Sequence, residues 1–185
     1  QVNTLFEWEE ADGKWYLIMG GSMGFGNITK LIRELKSKVS DSDRIICVCG
    51  KNEGLKQSIY KHFSESPNVK ALGYTHKISL IMDACDVLLT KPGGITSTEA
   101  IIKNIPLVHI NPIKGLEEDN AAFFKQMGMA LGDEDVREQT TIAIQLSHDA
   151  GAQEKMAEIQ RRNSNINCSH EIADMIISMA QAQRI

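Results

Sequence analysis

The sequence predicts an α/β fold: a parallel sheet of about six strands with helices on both faces. Two observations predict it. Short apolar runs alternate with longer amphipathic stretches from Trp15 onward. The runs, Val87–Leu89 and Ile105–Ile110 among them, are mostly apolar on successive residues, as strands buried on both faces must be. Sheets of this kind bind ligands at the carboxyl ends of their strands, where strand order reverses. Chemistry is therefore expected in the strand-to-helix connections, and three are unusual: Gly20–Gly26, Lys91–Thr96 and Asn111–Asn120.

Trp15–Met19 has the length and apolar content of a strand. Ile28, Leu31, Ile32, Leu35 and Val39 then recur at helical spacing. Arg44–Val48 reads as the next strand, Gly54–Phe63 as a helix, Val69–Leu72 as a short strand and His76–Ala84 as a helix. Asp86–Thr90, Thr96–Lys103, Pro106–Ile110 and Glu117–Met127 continue the alternation, and Met129–Leu131 is a last short strand. Helices near Asp133–Leu146, Gln153–Asn163 and Ser169–Gln183 close the chain. In the last of these, Ile172, Met175, Ile176 and Met179 form a stripe at helical spacing, expected to enter the core or an interface.

The 185 residues suit one domain and are few for two. At 42% hydrophobic and 24% charged, the composition argues against long disorder and fibrous structure. No apolar run approaches the roughly 20 residues that cross a bilayer. The opening Gln1-Val2-Asn3-Thr4 lacks the basic-then-apolar pattern of a signal peptide. Because it begins on Gln rather than Met, the chain is expected to belong to something longer. A net charge of −4 argues against nucleic acid as a partner, which needs clustered Lys and Arg. It also argues against this chain alone being held electrostatically on an anionic membrane. Cys47 and Cys49 alternate in an apolar strand, far in sequence from Cys85 and Cys168. They fit a reduced interior better than a disulfide framework or a zinc site.

The first loop, Gly20-Gly21-Ser22-Met23-Gly24-Phe25-Gly26, lets backbone N–H groups approach an anion at a helix start. It is not a Walker A loop, because Asn27-Ile28 stands where Lys and Ser or Thr are required. It misses the dinucleotide fingerprint as well, with Thr29 in place of a third small residue and no acidic residue after Val48. A tight turn without ligand and a phosphate cradle both remain open.

The second loop, Lys91-Pro92-Gly93-Gly94-Ile95, runs into Thr96-Ser97-Thr98-Glu99. That spacing fits a capping box with Thr96 as N-cap and Glu99 at the third helical position. Alternatively, Glu99 takes the two hydroxyls of a ribose through charged hydrogen bonds worth roughly 1.5–3 kcal/mol each. The third loop, with Glu117, Glu118, Asp119 and Asn120, is either a solvated helix cap or a clamp for sugar hydroxyls. Asp41-Ser42-Asp43 resembles a metal-binding Asp-x-Asp but precedes a strand, which favours a turn. His109, at a strand end, either touches a ligand or is a satisfied structural histidine. His76 and Lys77 could line the same rim. No Ser/His/Asp or Cys/His set has the spacing of a nucleophile.

Taken together, Met19–Gly26, Val48-Cys49-Gly50-Lys51-Asn52, Gly73-Tyr74-Thr75, Asp86–Ala100 and Gly115–Phe124 resemble the C-terminal, donor-binding half of a GT-B nucleotide-sugar transferase. The similarity is to glycosyltransferase family 28: the monogalactosyldiacylglycerol synthases, the processive diacylglycerol glucosyltransferases and, further off, the lipid II GlcNAc transferase. Lys-Pro-Gly-Gly-x-Thr-x-x-Glu-Ala is the most specific segment. The resemblance implies a Rossmann-like domain over residues 1–185, with the N-terminal acceptor domain, and the catalytic base it carries, absent. No catalytic residue is therefore expected in this chain.

The resemblance further implies that Gly21, Ser22 and Met23 border the diphosphate of a UDP-sugar and that Tyr74 and Thr75 flank uracil. Gly93, Gly94 and Thr96, with Lys91, would approach the phosphates; Glu99 would bind the ribose diol, and Glu117 and Asn120 the hexose. Leu116 stands where the family often has Gln, which leaves the donor sugar open. The implied reaction is inverting transfer of a hexose from a UDP-sugar to a lipid acceptor such as diacylglycerol. It needs no cofactor and no metal, since helix dipoles and basic groups stabilise the leaving diphosphate. The full enzyme would be cytoplasmic and peripheral at the membrane. Two alternatives stay open: a stand-alone UDP-sugar-binding subunit of a two-chain transferase, and half of a UDP-sugar epimerase.

Overall fold

The computed structural model describes Phe6, Trp8, residues 12–20 and residues 28–182. Six strands run parallel: β1 (Trp15–Met19), β2 (Arg44–Val48), β3 (Val69–Leu72), β4 (Val87–Thr90), β5 (Leu107–His109) and β6 (Leu131–Gly132). Their spatial order is β3-β2-β1-β4-β5-β6. The helices among the described residues are α1 (Ile28–Lys36), α2 (Glu53–His62), α3 (Ile78–Ala84), α4 (Gly94–Ile102), α5 (Glu118–Gln126), α6 (Val136–His148), α7 (Ala150–Asn163) and α8 (Cys168–Ala182). The expected Rossmann-like parallel sheet with helices on both faces is the architecture observed.

The central strands form because both of their faces are covered. Every residue of β4 is buried, as are Tyr16, Leu17 and Ile18 of β1 and Ile45, Ile46 and Cys47 of β2. Burying one such aliphatic side chain is worth roughly 1.5–3 kcal/mol. α1 delivers Ile28, Leu31, Ile32 and Leu35 to the core from a single face. Three helices start on side-chain caps: Asn52 accepts from Leu55 N, Asp135 from Arg137 N, and Asp149 from Ala152 N. At the amino edge of the sheet, Asp86 Oδ2 accepts from Trp15 N at 2.8 Å and fixes β4 to β1. Asp43 Oδ1 accepts from Lys14 N at 2.7 Å, and its Oδ2 accepts from Ser40 N at 2.7 Å. Asp41-Ser42-Asp43 is thus a turn at the end of the sheet opposite the carboxyl edge.

Several expected boundaries shift, and of the two places expected for the α8 stripe the core is excluded. The fourth helix begins at Gly94 rather than Thr96. The last strand is two residues long and lies at Leu131–Gly132. The apolar stripe of α8 does not enter the core: Ile172, Met175, Ile176 and Met179 are between 55% and 64% exposed. α8 buries none of the residues described along it, because no other described element stands over that face.

Candidate functional site

Strand order reverses between β1 and β4, whose carboxyl ends lie side by side. Met19 pairs with Thr90 across them, and Thr90 Oγ1 donates to the Met19 carbonyl at 2.9 Å. This is the crevice in which an open parallel sheet binds its ligand. The glycine loop after β1, including Gly21, Ser22 and Met23, lies outside the described residues.

After β4 the chain turns within Lys91-Pro92-Gly93, with Gly93 N donating to the Lys91 carbonyl at 2.7 Å. Gly93 is the N-cap of α4 in extended conformation, φ −77° and ψ 143°, and makes no side-chain cap bond. The capping-box reading therefore fails. With Gly93 at the cap, Thr96 falls inside the first turn and Glu99 in the second, too far along to reach the cap. The N–H groups that open α4 have no intrahelical acceptor and carry the positive end of the helix dipole. Among the described residues, a Cβ added to Gly93 or Gly94 would meet nothing within 4 Å. Neither packing against the described residues nor, at Gly93, dihedral angle demands glycine, so the described residues leave both positions open to approach.

The loop after β5 is drawn onto this turn. Asn111 adopts φ 44° and Gly115 φ 73°, left-handed conformations that favour Asn and Gly and bend the chain back toward α4. Glu117 Oε2 accepts from Ile113 N at 2.8 Å and lies 3.5 Å from Lys91 Nζ. Asn120 Nδ2 donates to the Pro92 carbonyl at 3.1 Å. Glu118 accepts from Gly115 N at 2.9 Å. Lys91, Gly93, Gly94, Glu117 and Asn120 are thereby brought together at the carboxyl edge.

Glu99 is exposed. It lines a groove of about 260 Å³ with Ile78, Ser79, Met82, Ile102 and Lys103, between α3 and α4. Tyr74 and Thr75 lead into α3 but are not among the residues lining this groove, and β2 separates their strand from β1. Tyr74 is 67% exposed and meets His76 edge to face with centroids 5.0 Å apart. Thr75 Oγ1 accepts from Lys77 N at 3.1 Å.

Behind the edge, Ser97 Oγ lies 3.0 Å from His109 Nε2. Both residues are buried, and burial pushes the imidazole down to about 4. Phe124 packs edge-on against the ring at 5.4 Å. The Ser97–His109 contact ties α4 to β5, while His109 Nδ1 is buried without a hydrogen-bond partner among the described residues. Sequence reasoning did not single out Ser97; its signal was a hydroxyl on the helix face that also carries Ala100 and Ile101. A separate cavity of about 410 Å³ lies between α5 and β6, bordered by His109, Lys125 and Asp133 but by none of Gly93, Gly94, Glu99, Glu117 or Asn120. Among the described residues no cluster of three or more His, Cys, Asp or Glu is placed to hold a metal ion, and no helix is long and apolar enough to cross a membrane.

Comparison with known proteins gives the same fold and places the chain in a family. It is 35% identical over 163 residues to a processive diacylglycerol beta-glucosyltransferase of Bacillus pumilus (strain SAFR-032), covering 85% of this chain and 40% of that protein. It is 37% identical over 121 residues to the protein of that name from Bacillus subtilis (strain 168), covering 64% of this chain and 31% of the relative. The chain thus spans well under half the length of these relatives. Among solved structures, MurG of Acinetobacter baumannii superposes with a TM-score of 0.72 at 17% identity, over 92% of this chain and 54% of that one. The UDP co-structure of S. aureus MnaA does so with a TM-score of 0.75 at 15% identity, over 98% of this chain and 49% of that one. The family model of the glycosyltransferase family 28 C-terminal domain matches residues 16–178, and the chain belongs to that family.

Proposed function

We propose that this chain is the donor-binding half of an inverting hexosyltransferase. It holds a UDP-sugar at the carboxyl edge of the sheet for transfer to a lipid acceptor such as diacylglycerol. The observation that carries the reading is the start of α4. A helix N-terminus with a glycine at its cap opens beside the strand switch point, and no described atom fills the Cβ positions of Gly93 and Gly94. Such a terminus suits a diphosphate, which accepts the free N–H groups and meets the dipole. Glu99, one turn on and free of any cap, takes the ribose hydroxyls. Tyr74 and Thr75 face the base, and Glu117 and Asn120 face the hexose. The donor is a substrate, and the helix start supplies the positive potential where the leaving diphosphate develops charge, so no cofactor is called for.

The identity to proteins named as diacylglycerol glucosyltransferases supports the transferase reading over the epimerase one. The acceptor and the base that activates it belong to the part of the protein beyond this domain, as does contact with the membrane. Alone, the chain binds donor and does not turn it over; turnover with a lipid acceptor by the purified 185-residue chain would contradict this. The direct test is calorimetric titration with UDP, then UDP-glucose, UDP-galactose and UDP-GlcNAc. Saturable UDP binding is expected, and the order of the three sugars identifies the donor. No binding at millimolar UDP would overturn the reading.

A further inference from the structure

Lys91 and Glu117 make a contact that donor binding by itself does not explain. Their side chains are only 10% and 15% exposed, with Nζ 3.5 Å from Oε2. The carboxylate is held in place rather than mobile: the same Oε2 accepts from Ile113 N, and the Asn120–Pro92 bond pins its loop to the turn before α4. A diphosphate at the Gly93–Gly94 helix start would therefore lie near a fixed negative charge in a partly dry crevice. Like charges there are poorly screened and each disfavours the other.

We infer that Lys91 is a positioning residue whose charge is directed at Glu117, neutralising it so that an acidic sugar-facing loop can lie beside the diphosphate. The inference rests on the donor-binding reading and goes beyond it. It assigns the lysine of the Lys-Pro-Gly-Gly segment to the neighbouring loop instead of to the phosphates. Held this way, the carboxylate keeps one orientation, with Oε2 occupied by the ammonium and the Ile113 amide and Oε1 left to accept from a sugar hydroxyl.

The two roles for Lys91 differ in what the double variant does. A lysine that grips phosphate is needed whether or not Glu117 is charged. A lysine that neutralises Glu117 is dispensable once the carboxylate is gone. The experiment is calorimetric titration of UDP into the wild-type chain, Lys91→Met, Glu117→Gln and the double variant, with thermal melts of each. Lys91→Met is expected to weaken UDP by roughly 10-fold or more, the effect of an uncompensated charge. Glu117→Gln alters a side chain facing the hexose that UDP lacks, removes a negative charge beside the diphosphate and is expected not to weaken UDP. The double variant returns to within about two- to threefold of wild type, the scatter of uncoupled substitutions. A double variant as weak as Lys91→Met overturns the inference and makes Lys91 a phosphate ligand, as does a Glu117→Gln chain that loses UDP. If Lys91→Met does not fold, the double variant decides alone. A wild-type chain that binds no UDP overturns the donor reading, and the inference with it. Wild-type binding with the wrong pattern among the variants overturns only the inference.

Discussion

Lys91 Nζ lies 3.5 Å from Glu117 Oε2, and through that contact the connection after β4 is bound to the connection after β5. The two residues are 26 positions apart in sequence, the difference between 117 and 91. Together with the Asn120–Pro92 bond, the pair gives the carboxyl edge one shape before any ligand arrives. A nearly buried pair is weak evidence for net stability, since desolvation offsets much of the attraction, but removing one partner strands the other. Lys91→Met is therefore expected to cost about 3 kcal/mol and to lower the Tm by roughly 6–12 °C for a domain of this size. The double variant Lys91→Met/Glu117→Gln should recover most of that loss. A Lys91→Met chain that melts with the wild type would show that water reaches the pair and screens it.

Gly94 separates binding from folding. It occupies the first position of α4, and a Cβ there touches none of the described residues. Alanine is the better helix former by up to about 1 kcal/mol, so Gly94→Ala should leave stability to urea unchanged or raised. The same methyl group fills the space through which a diphosphate would approach the backbone, so UDP affinity should fall roughly 10-fold or more through lost charged hydrogen bonds. Equal UDP binding by the variant would place the phosphates elsewhere along the edge.

Glu99 is the other site residue whose substitution should spare the fold. It is exposed and caps nothing, and it is not in a buried pair. Glu99→Ala should move stability by no more than about 0.5 kcal/mol. UDP and UDP-glucose should weaken by the same factor, roughly 10–100-fold, because the ribose is common to both. A loss confined to the sugar nucleotide would move Glu99 from the ribose to the hexose.

How far the sequence carried depends on the kind of signal. β1, β2 and β4 were legible because burial on both faces forces unbroken apolar runs, and α1 because its four buried residues recur at helical spacing. The start of α4 was misread for a local reason. Thr96-x-x-Glu99 has the spacing of a capping box, but Gly93 already holds an extended conformation that can end the strand turn. The helix therefore begins two residues before Thr96. The α8 stripe shows the limit of periodicity, which identifies an apolar face and says nothing of what covers it. The Ser97–His109 and Lys91–Glu117 contacts are set by β4 and β5 lying side by side, a relation that no spacing along the chain encodes.

His109 supplies a pH dependence whose sign follows from its burial. The imidazole titrates near 6.5 when free and is pushed down to about 4 in the fold by desolvation. Between these values the unfolded chain takes up a proton at this position and the folded chain does not. Stability contributed by the neutral ring is thus fully present above pH 6.5 and is lost as pH falls toward 4, by roughly 3 kcal/mol at the lower limit. His109→Leu abolishes the proton uptake but removes the hydrogen bond to Ser97, which should cost about 1 kcal/mol at neutral pH. The variant should therefore be the less stable chain at pH 7 and the more stable one near pH 4.5. Urea unfolding of both chains at half-unit steps across this range checks it. Because other ionisable groups are common to both, the difference between the two curves isolates His109. Parallel curves would mean that the ring is solvated enough to protonate in the folded state.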